Sequence, residues 1–517
     1  MLASLNSTTI LGVTALPVRL EIDIANGLPR YSMVGLPDAG ATESRERVWG
    51  ALRNSGYQLP LGRTTVNLAP GDIRKEGPHF DLAIALGILA ASNATQLQTK
   101  HLDRLMVLGE LAMSGEVRPV RGVLPSLIAA KKMGLAKVII PWANYPEASI
   151  LSDLAIIPVK HLNEAIDCLL NSEKSHQLSY CITPPQSSES NMHENENYWL
   201  EAPDLEMVHG QHLARRALEL CAAGCHHLLF IGPPGSGKTL LARCLPTILP
   251  PLNEEQSLEV TAIHSTVHSS SIPSLSRRPP FRSPGTNITL AGLMGSYSPG
   301  EISQAHHGVL FMDEFPEFRR ECLEALRAPL ECGQVEIARA KFHITYPCRF
   351  TLVAAMNPCH CGYFGDSERE CLCTPRQREK YYHRISEPIL DRIALQVRLS
   401  RPRPEELMSS EKAENSATVA HRVQQARRIQ EERGFYNEQL TPAQIKRYCQ
   451  YDRESAHFLQ QAAKHLAFSA RVFSSIARVA RTIADLKGQE AITLNEVSEA
   501  LAYRTISKHY SPIEQSR

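Results

Sequence analysis

A glycine-rich loop that ends in lysine and threonine is the segment of this 517-residue sequence best suited to chemistry. It fits the pattern G-x-x-x-x-G-K-[ST] of a phosphate-binding P-loop. The glycines let backbone N–H groups approach a polyphosphate, Lys238 can reach its outer phosphates, and the Thr239 hydroxyl can ligate Mg²⁺. We therefore predict a site for ATP and Mg²⁺. The loop residues expected to bind them are Gly232, Pro233, Pro234, Gly235, Ser236, Gly237, Lys238 and Thr239.

Three polar side chains that follow apolar runs complete a site for phosphoryl transfer to water. Asp313 and Glu314 come directly after residues 308–312, and Asn357 comes directly after residues 351–356. An acid at the C-terminal end of a strand beside a P-loop is placed to hold Mg²⁺, and we assign this role to Asp313. We expect Glu314 to polarise the attacking water and Asn357 to position that water from the far side of the γ-phosphate.

Four cysteines in two C-x-C motifs are candidates for a metal site. Cys359 and Cys361 are separated by a loop from Cys371 and Cys373. Four thiolates on one hairpin can hold a tetrahedral, structural Zn²⁺, because four protein ligands leave no open coordination position. C-x-C is a tighter spacing than the usual C-x₂₋₄-C, so a set of reduced cysteines is the alternative, and His360 could replace one ligand.

The elements that must position these groups are predicted as strands and helices in alternation. Residues 228–231 indicate a short buried strand before the P-loop, and residues 238–244 indicate a helix that Pro246 ends. Residues 335–345 alternate in polarity and predict a hairpin before the apolar strand at 351–356.

Composition places two boundaries along the chain. Residues 171–197 are rich in Ser, Gln, Asn, Glu and Pro and offer little that could pack, which predicts a linker. A second boundary lies near residues 401–404, after which the apolar spacing at 458–486 and 494–501 indicates helices. The expected parts are an N-terminal domain at 1–170, a linker at 171–199, a P-loop core at 200–400 and a helical domain at 401–517.

Composition and charge exclude some classes of protein and leave the partner open. A hydrophobic fraction of 43% is ample for packed cores. A net charge of +1 does not by itself indicate a nucleic-acid partner. The most apolar stretch, residues 82–91, is too short to span a bilayer. Because the sequence shows no secretory start, we expect its 13 cysteines to be reduced thiols or metal ligands and not disulfides, in a cytoplasmic protein without a membrane partner.

Several further motifs lie in the core and the helical part of the chain. They are Pro299-Gly-Glu-Ile-Ser303, Gly308-Val-Leu-Phe-Met-Asp-Glu-Phe315, Asn357-Pro-Cys-His-Cys-Gly362, Leu390-Asp-Arg392 and Arg478-Val-Ala-Arg-Thr-Ile-Ala-Asp485. Through them the chain resembles the magnesium-chelatase-like AAA+ ATPases, and more closely their ComM/YifB branch. The resemblance runs nearly end to end, and together the motifs are highly specific.

The N-terminal part also fits this family, through Val34-Gly-Leu-Pro37, Glu43-Ser-Arg45, Glu76-Gly-Pro78 and Gly109-Glu-Leu-Ala112. This part resembles the proteolytic domain of Lon proteases. Such a domain would need a nucleophilic Ser and a Lys. His79 stands where the resemblance places the Ser, and residues 123–126 read Val-Leu-Pro-Ser where the Lys would follow. We therefore expect a non-proteolytic domain used for assembly or partner binding.

The resemblance implies a multidomain α/β protein with a Lon-protease-like α+β N-terminal domain, an AAA+ P-loop αβα core and a C-terminal helical lid. It also implies a homo-oligomeric ring, expected to be a hexamer, with ATP hydrolysed between subunits. The resemblance places the arginine finger at Arg392 and the lid arginine that reads the γ-phosphate at Arg471, with Arg384 as a weaker candidate for the finger. The chain departs from the family in the insert after the P-loop, where Gly285-Thr286 replaces a His pair and a single Gly295 replaces a glycine run.

The polymer on which such a ring would act is the least determined feature of the sequence. The ComM resemblance implies DNA translocation and branch migration in recombination during natural transformation, with branched or single-stranded DNA as partner. The chelatase motors imply protein remodelling, and the intact acids and arginines argue against a non-catalytic scaffold. Arg339 and Lys341 on the predicted hairpin could grip phosphates without reading bases, although solvated loop charge is the alternative. Further cations in the insert are Arg277, Arg278 and Arg282.

Overall fold

The computed structural model describes most of the chain between residues 2 and 504. The residues outside the description are 1, 93–94, 103, 152–153, 172–201, 268–274, 340–341, 367, 404, 406–412, 467 and 505–517. The predicted linker at 171–199 therefore lies outside the described residues, apart from Asn171. No helix in the described part is long and apolar enough to cross a bilayer.

The elements up to residue 171 mix strands and helices. The strands are β1 Leu2–Leu11, β2 Thr14–Ala25, β3 Arg30–Val34, β4 Arg63–Ala69, β5 Leu105–Val107, β6 Glu110–Leu111, β7 Val117–Arg118, β8 Lys137–Pro141 and β9 Ala155–Val159. The helices are α1 Ala39–Thr42, α2 Ser44–Asn54, α3 Asp81–Ser92, α4 Val123–Lys132, α5 Tyr145–Ala148 and α6 Leu162–Leu170.

From residue 202 onward strands and helices alternate and then give way to helices. The strands are β10 Leu228–Ile231, β11 Phe281–Arg282, β12 Val309–Met312, β13 Gln334–Arg339, β14 Phe342–Pro347, β15 Thr351–Met356 and β16 Leu395–Arg398. The helices are α7 His212–Gly224, α8 Lys238–Ile248, α9 Glu254–Val267, α10 Leu290–Met294, α11 Glu301–Gln304, α12 Arg320–Ala325, α13 Pro329–Cys332, α14 Pro375–Tyr382, α15 Glu387–Leu390, α16 Ser416–Arg433, α17 Pro442–Tyr448, α18 Arg453–His465, α19 Ala470–Leu486 and α20 Leu494–Ala502.

The chain forms two compact units. The first contains Met1–Asn191, Glu254–Ser276 and Tyr297–Pro299, and the second contains Met192–Asn253, Arg277–Ser296 and Gly300–Arg517. Helix α9, which the chain inserts between the P-loop helix and the acidic strand, thus packs with the N-terminal residues.

The first unit is built on a seven-stranded mixed sheet with the order β3-β4-β2-β1-β5-β8-β9. Helix α3 is apolar all round and almost wholly buried, as expected of a helix enclosed by its domain. Helix α9 is joined to α4 by a hydrogen bond of 2.8 Å from the Gly122 N–H to the Ser265 carbonyl. The buried Glu147 carboxylate accepts from the Ser265 hydroxyl and from the Leu124 N–H, and burial raises its pKa.

The second unit contains a parallel sheet with the order β11-β12-β15-β10-β16. Strands β10, β12 and β15 are buried throughout, which explains their uninterrupted apolar sequences. In a parallel sheet the carboxyl ends of the strands meet at one edge, where ligands of such folds bind. Because β15 lies between β10 and β12, the P-loop, Asn357 and Asp313 come from three adjacent strands.

The C-terminal helices pack on this sheet domain through a shared core. Ile476 and Ala480 of α19 belong to the same buried cluster as Leu218 of α7 and Phe230 of β10. The cluster explains the strong apolar periodicity of α19, since one face of that helix is enclosed.

A buried polar contact adds to the docking of these helices. His226 lies between the Glu438 carboxylate and the Thr482 hydroxyl, with both distances 2.7 Å. Burial raises the pKa of Glu438, but the His226 hydrogen bond and the Arg478 charge outweigh it and hold that pKa at about 2.

The predicted mixed α/β architecture is confirmed, and one predicted helix end is wrong. Helix α8 runs to Ile248 with Pro246 inside it. Pro246 removes the N–H that would bond to the Ala242 carbonyl, but only two helical residues follow it, so the disruption is confined to the last turn. The predicted hairpin is present as the antiparallel pair β13–β14.

Candidate active site

The P-loop joins β10 to α8 in a conformation that requires its glycines. Gly235 and Gly237 have φ values of 79° and 87°, in the left-handed region that favours glycine. A Cβ on Gly232 would lie 2.9 Å from the Leu399 carbonyl oxygen, so a larger residue has no room there. Among the described residues the buried Ser236 hydroxyl has no hydrogen-bond partner, which leaves it available to a ligand of the loop. The loop is thus shaped for phosphate groups at the start of α8.

Lys238 connects the P-loop to the end of β15. Its Nζ donates to the carbonyl oxygens of Gly232 at 2.7 Å and Pro233 at 3.0 Å, and to Asn357 Oδ1 at 3.1 Å. Burial lowers the pKa of Lys238 to about 8, and the charges of Asp313 and Glu314 oppose this shift. The phosphates of a bound nucleotide would replace the carbonyl partners and stabilise the charged lysine.

Thr239 and Asp313 are placed to share one magnesium ion. The Thr239 hydroxyl donates to Asp313 Oδ2 at 2.8 Å. Two neighbouring ligands of an octahedral Mg²⁺, each about 2.1 Å from the metal, would lie about 3 Å apart. This pair of oxygens therefore fits the ion that a P-loop ATPase requires, and the ion would supply charge neutralisation at the β- and γ-phosphates.

Glu314 is exposed and held in an unusual backbone conformation. Its φ of 51° lies in the left-handed region, and its N–H donates to Asp313 Oδ1 at 2.9 Å. Such a conformation costs a non-glycine residue of order 1 kcal/mol and recurs at functional sites. The turn places the two acids differently, since Asp313 is bound to Thr239 whereas the Glu314 carboxylate stays accessible to water.

Arg392 and Arg471 converge on one carboxylate that sequence analysis did not single out. Arg392 donates to Glu331 and, at 2.7 Å, to the Pro388 carbonyl oxygen. Arg471 donates to the same Glu331 carboxylate at 3.2 Å and 3.4 Å. Both hydrogen bonds and both charges lower the pKa of Glu331, with the Arg392 hydrogen bond the largest cause.

Glu331 could not have been found from sequence spacing. It lies 61 residues from Arg392 and 140 from Arg471, so only the fold reveals the triplet. Arg384, the weaker finger candidate, is instead paired with Glu317 at 2.8 Å.

Models of protein families match the chain in three consecutive parts. Residues 204–407 match the family described as magnesium chelatase, subunit ChlI, and residues 413–504 match the C-terminal part of that subunit. Residues 20–144 match the family described as subunit ChlI of Mg-chelatase.

Relatives match along nearly the whole chain. The YifB protein of Salmonella typhimurium is 40% identical over 98% of both chains, and the competence protein ComM of Haemophilus influenzae is 39% identical over 98% of both. The chain belongs to the ComM/YifB family. Lon protease 2 of Bacillus subtilis is 32% identical over 145 residues, or 28% of this chain and 25% of the protease. The predicted resemblance to magnesium-chelatase-like AAA+ ATPases with a Lon-like N-terminal domain is thereby confirmed.

The Lon-like domain of this ComM/YifB chain has a hydrogen-bond arrangement unlike a Ser–Lys pair. His79 Nε2 lies 2.6 Å from the Thr8 carbonyl oxygen, and burial lowers the pKa of His79 to about 4. The Thr8 hydroxyl donates to Ser126, whose hydroxyl donates in turn to the Gly122 carbonyl oxygen at 2.6 Å. The hydroxyl groups of Thr8 and Ser126 thus donate their protons to other oxygen atoms and not to a base that could activate a nucleophile.

The four cysteines are gathered in one cluster. The Sγ atom of Cys359 lies 3.3 Å from that of Cys361 and 3.6 Å from that of Cys371. Cys361 and Cys371 are 3.6 Å apart, and Cys373 Sγ accepts from the Cys361 N–H at 3.4 Å. All four sulfur atoms lie within 4.8 Å of one another. His360 is exposed and is not part of this group.

The structure describes some of the candidate DNA contacts and not others. Lys341 lies outside the described residues, and for Arg339 the backbone in β13 is described but the side chain is not. In the insert, Arg277 and Arg278 are exposed, whereas Arg282 is held by Glu301 at 2.7 Å and 2.8 Å. Arg282 is therefore a poorer phosphate ligand than its sequence context suggested.

Proposed function

We propose that this protein is a Mg²⁺-dependent ATPase that works as a homo-oligomeric ring and couples hydrolysis to the movement of DNA. The observation that carries the ATPase is the joint placement of Lys238, Thr239, Asp313 and Asn357 at the edge of the sheet. Lys238 and Thr239 would hold the phosphates and Mg²⁺, and Asp313 would complete the metal site. Glu314 would polarise the attacking water, which Asn357 would position.

The arrangement of the arginines supports the proposed ring. Arg392 and Arg471 are held together by Glu331, and hydrolysis needs a positive charge beside the γ-phosphate. We propose that the two arginines are presented to the nucleotide of a neighbouring subunit, with a hexamer as the closed assembly. An arginine supplied in trans typically raises turnover about 10³–10⁵-fold.

DNA is the proposed polymer because of the relatives and the hairpin. The similarity to a competence protein over nearly the full chain favours a role in DNA branch migration during recombination. The hairpin β13–β14 is anchored by the buried residues Val335, Ile344 and Tyr346. Cations on such a hairpin would bind phosphates in any sequence.

Protein remodelling is the second candidate function. It is favoured by the match of residues 204–407 to a magnesium chelatase subunit, whereas the net charge of +1 does not separate DNA from protein as the polymer. On this reading the same ATPase would act on a protein partner, and DNA would neither bind tightly nor change the rate of hydrolysis. The N-terminal domain, proposed to be non-proteolytic, would serve assembly or partner binding in both cases.

The test is the steady-state ATPase rate with and without branched, single-stranded and duplex DNA. We expect Mg²⁺-dependent hydrolysis that rises with branched or single-stranded DNA and is abolished in Glu314→Gln. A rate that no DNA changes, together with an absence of DNA binding in the presence of ATP and Mg²⁺, would favour protein remodelling.

We also propose that the cysteine cluster holds one structural Zn²⁺. Four sulfur atoms at about 2.3 Å from a tetrahedral ion lie about 3.8 Å from one another. The observed separations of 3.3 Å and 3.6 Å are close to this spacing and far longer than a disulfide bond. A small displacement of the four thiolates would therefore admit the ion without refolding the loop.

A further inference from the structure

The cysteine loop lies directly against the nucleotide site. A Cβ built on Gly362 would lie 2.8 Å from Pro234 Cδ and 4.0 Å from Asn357 Cγ. The backbone that follows Cys361 therefore packs on the P-loop and on the amide expected to position the water. Only one residue, Pro358, separates Asn357 from the first cysteine ligand, so a displacement of Cys359 is transmitted to Asn357.

The other end of the cysteine loop returns to the same amide. Thr374, next to Cys373, caps α14 through reciprocal hydrogen bonds with Gln377. At the far end of α14 the buried Tyr381 hydroxyl interacts with the backbone of Asn357. The four thiolates would thus tie together the two chain segments that contact Asn357, one at Gly362 and the other ending at Tyr381.

A contact within the loop supports this connection. The Arg378 guanidinium of α14 lies 4.1 Å from the centre of the Phe364 ring, a cation–π contact between the helix and the loop. Phe364 follows Gly362 by two residues, so α14 is tied to the loop on the side that touches the P-loop.

We propose that the metal held by the four cysteines fixes Asn357 and the P-loop in the arrangement that hydrolyses ATP, although the metal touches neither nucleotide nor water. This inference rests on the proposed ATPase and zinc site. The physical reason is that a metal bridge closes the loop and removes much of its conformational freedom. Without it, a displacement of Asn357 by about 1 Å would cost on the order of 10²-fold in turnover.

The cysteines are therefore assigned as positioning residues for the hydrolytic step. ATP binding depends mainly on Lys238, which the Gly232 and Pro233 carbonyl oxygens hold without the metal, and on the backbone N–H groups of the P-loop. We expect zinc loss to lower kcat much more than it raises KM. Asn357→Ala should lower kcat in the same way, because both changes remove the same function.

The experiment compares the full-length wild type with the double variant Cys371→Ser/Cys373→Ser and with the matched control Cys332→Ser. Cys332 is exposed and lies outside the cluster. Wild type and control should each carry about one Zn²⁺ per chain and hydrolyse ATP equally, whereas the double variant should lack zinc and lose at least tenfold in kcat with KM changed less than threefold. Cys373→His, whose imidazole can still ligate zinc, should retain the metal and most of the turnover.

Two further measurements distinguish a positioning role of the cysteines from a general loss of structure. In an Asn357→Ala background, the double cysteine change should produce no further loss of kcat, since coupled residues are not additive. Amide hydrogen exchange should rise in residues 357–366 and in the P-loop of the zinc-free variant, and stay unchanged in the N-terminal sheet.

The outcomes distinguish this inference from the proposed function. Absence of zinc from the wild type, full kcat in the zinc-free variant, an additive loss with Asn357→Ala, or unchanged exchange at 357–366 would each overturn the inference. If the wild type hydrolyses no ATP, the proposed function fails. The zinc content and the exchange pattern then still decide whether the metal fixes this loop.

Discussion

Two side chains separate the binding of ATP from its hydrolysis. Lys238 lies inside the P-loop and contacts its carbonyl groups, whereas Glu314 lies at the end of β12 and is exposed. Removing the lysine takes away a charge needed by the bound phosphates. Removing the Glu314 carboxylate leaves the phosphate site intact and takes away the group that polarises water.

We expect Glu314→Gln to retain ATP affinity and to lose turnover by about 10²–10⁴-fold. Lys238→Ala should weaken ATP binding itself. Binding of a fluorescent ATP analogue and phosphate release would be measured side by side, with the exposed Glu321→Gln as a charge-matched control. Wild-type hydrolysis by Glu314→Gln would show that another group activates the water.

The Glu331 carboxylate, which Arg392 and Arg471 share, gives a second prediction about a single side chain. Glu331→Gln keeps the shape of the side chain but removes the charge that holds Arg392 and Arg471 together. Weakening these charge-assisted hydrogen bonds by about 1 kcal/mol should lower turnover roughly fivefold without changing nucleotide affinity.

Glu324→Gln is the matched control for Glu331→Gln, since Glu324 lies in the neighbouring helix α12 and is paired with Arg327. The ATPase rate at saturating ATP is the readout. A faster rate in Glu331→Gln would mean that Glu331 competes with the phosphates for the arginines instead of positioning them.

Among the elements, the hairpin β13–β14 makes the DNA hypothesis testable. Arg339→Ala/Lys341→Ala should weaken DNA binding similarly for unrelated sequences, because phosphate contacts carry no sequence information. The slope of log affinity against log salt should become shallower by roughly one unit per lost contact. Basal ATPase should persist, since neither residue is proposed to touch nucleotide.

Lys446→Ala/Arg447→Ala removes the same charge from exposed positions of the lid helix α17 and serves as the control. Binding would be measured by fluorescence anisotropy at several salt concentrations. Equal affinity and equal salt slope for the wild type and the hairpin variant would remove the hairpin from the mechanism.

The elements also show what sequence patterns can predict. The strands before the P-loop, Asp313 and Asn357 were predicted because a strand buried on both faces reads as a continuous apolar run. The end of α8 was misplaced, since the helix continues for two residues past Pro246. The grouping of α9 with the N-terminal unit was not predicted, because the pairing of Ser265 with Glu147 depends on the tertiary fold.

In the candidate site, too, features that depend on neighbouring residues were predicted from sequence, and features that depend on residues far apart in the chain were not. The P-loop, the two acids and the four cysteines are local motifs whose residue types state their chemistry. Glu331 and the packing of Gly362 on Pro234 depend on residues far apart in the sequence, for which no spacing rule exists. Sequence therefore predicts the parts of this site, and the structure shows which parts contact one another.

At the scale of the whole molecule, the prediction concerns an active site shared between subunits. Arg392→Ala should leave ATP affinity nearly intact and lower turnover. Mixing Arg392→Ala chains with Lys238→Ala chains should restore part of the activity, because some interfaces then combine an intact P-loop with an intact arginine. Absence of rescue in rings shown to be mixed would contradict a role of Arg392 in trans.

The central claim is that this assembly uses ATP hydrolysis to move DNA. It is tested most directly by following a fluorescently labelled, mobile four-way DNA junction after ATP and Mg²⁺ are added. We predict that the wild type converts the junction to duplex products only while ATP is hydrolysed, and that Glu314→Gln binds the junction without converting it. No conversion by a wild-type protein that hydrolyses ATP, or equal conversion by Glu314→Gln, would contradict the claim.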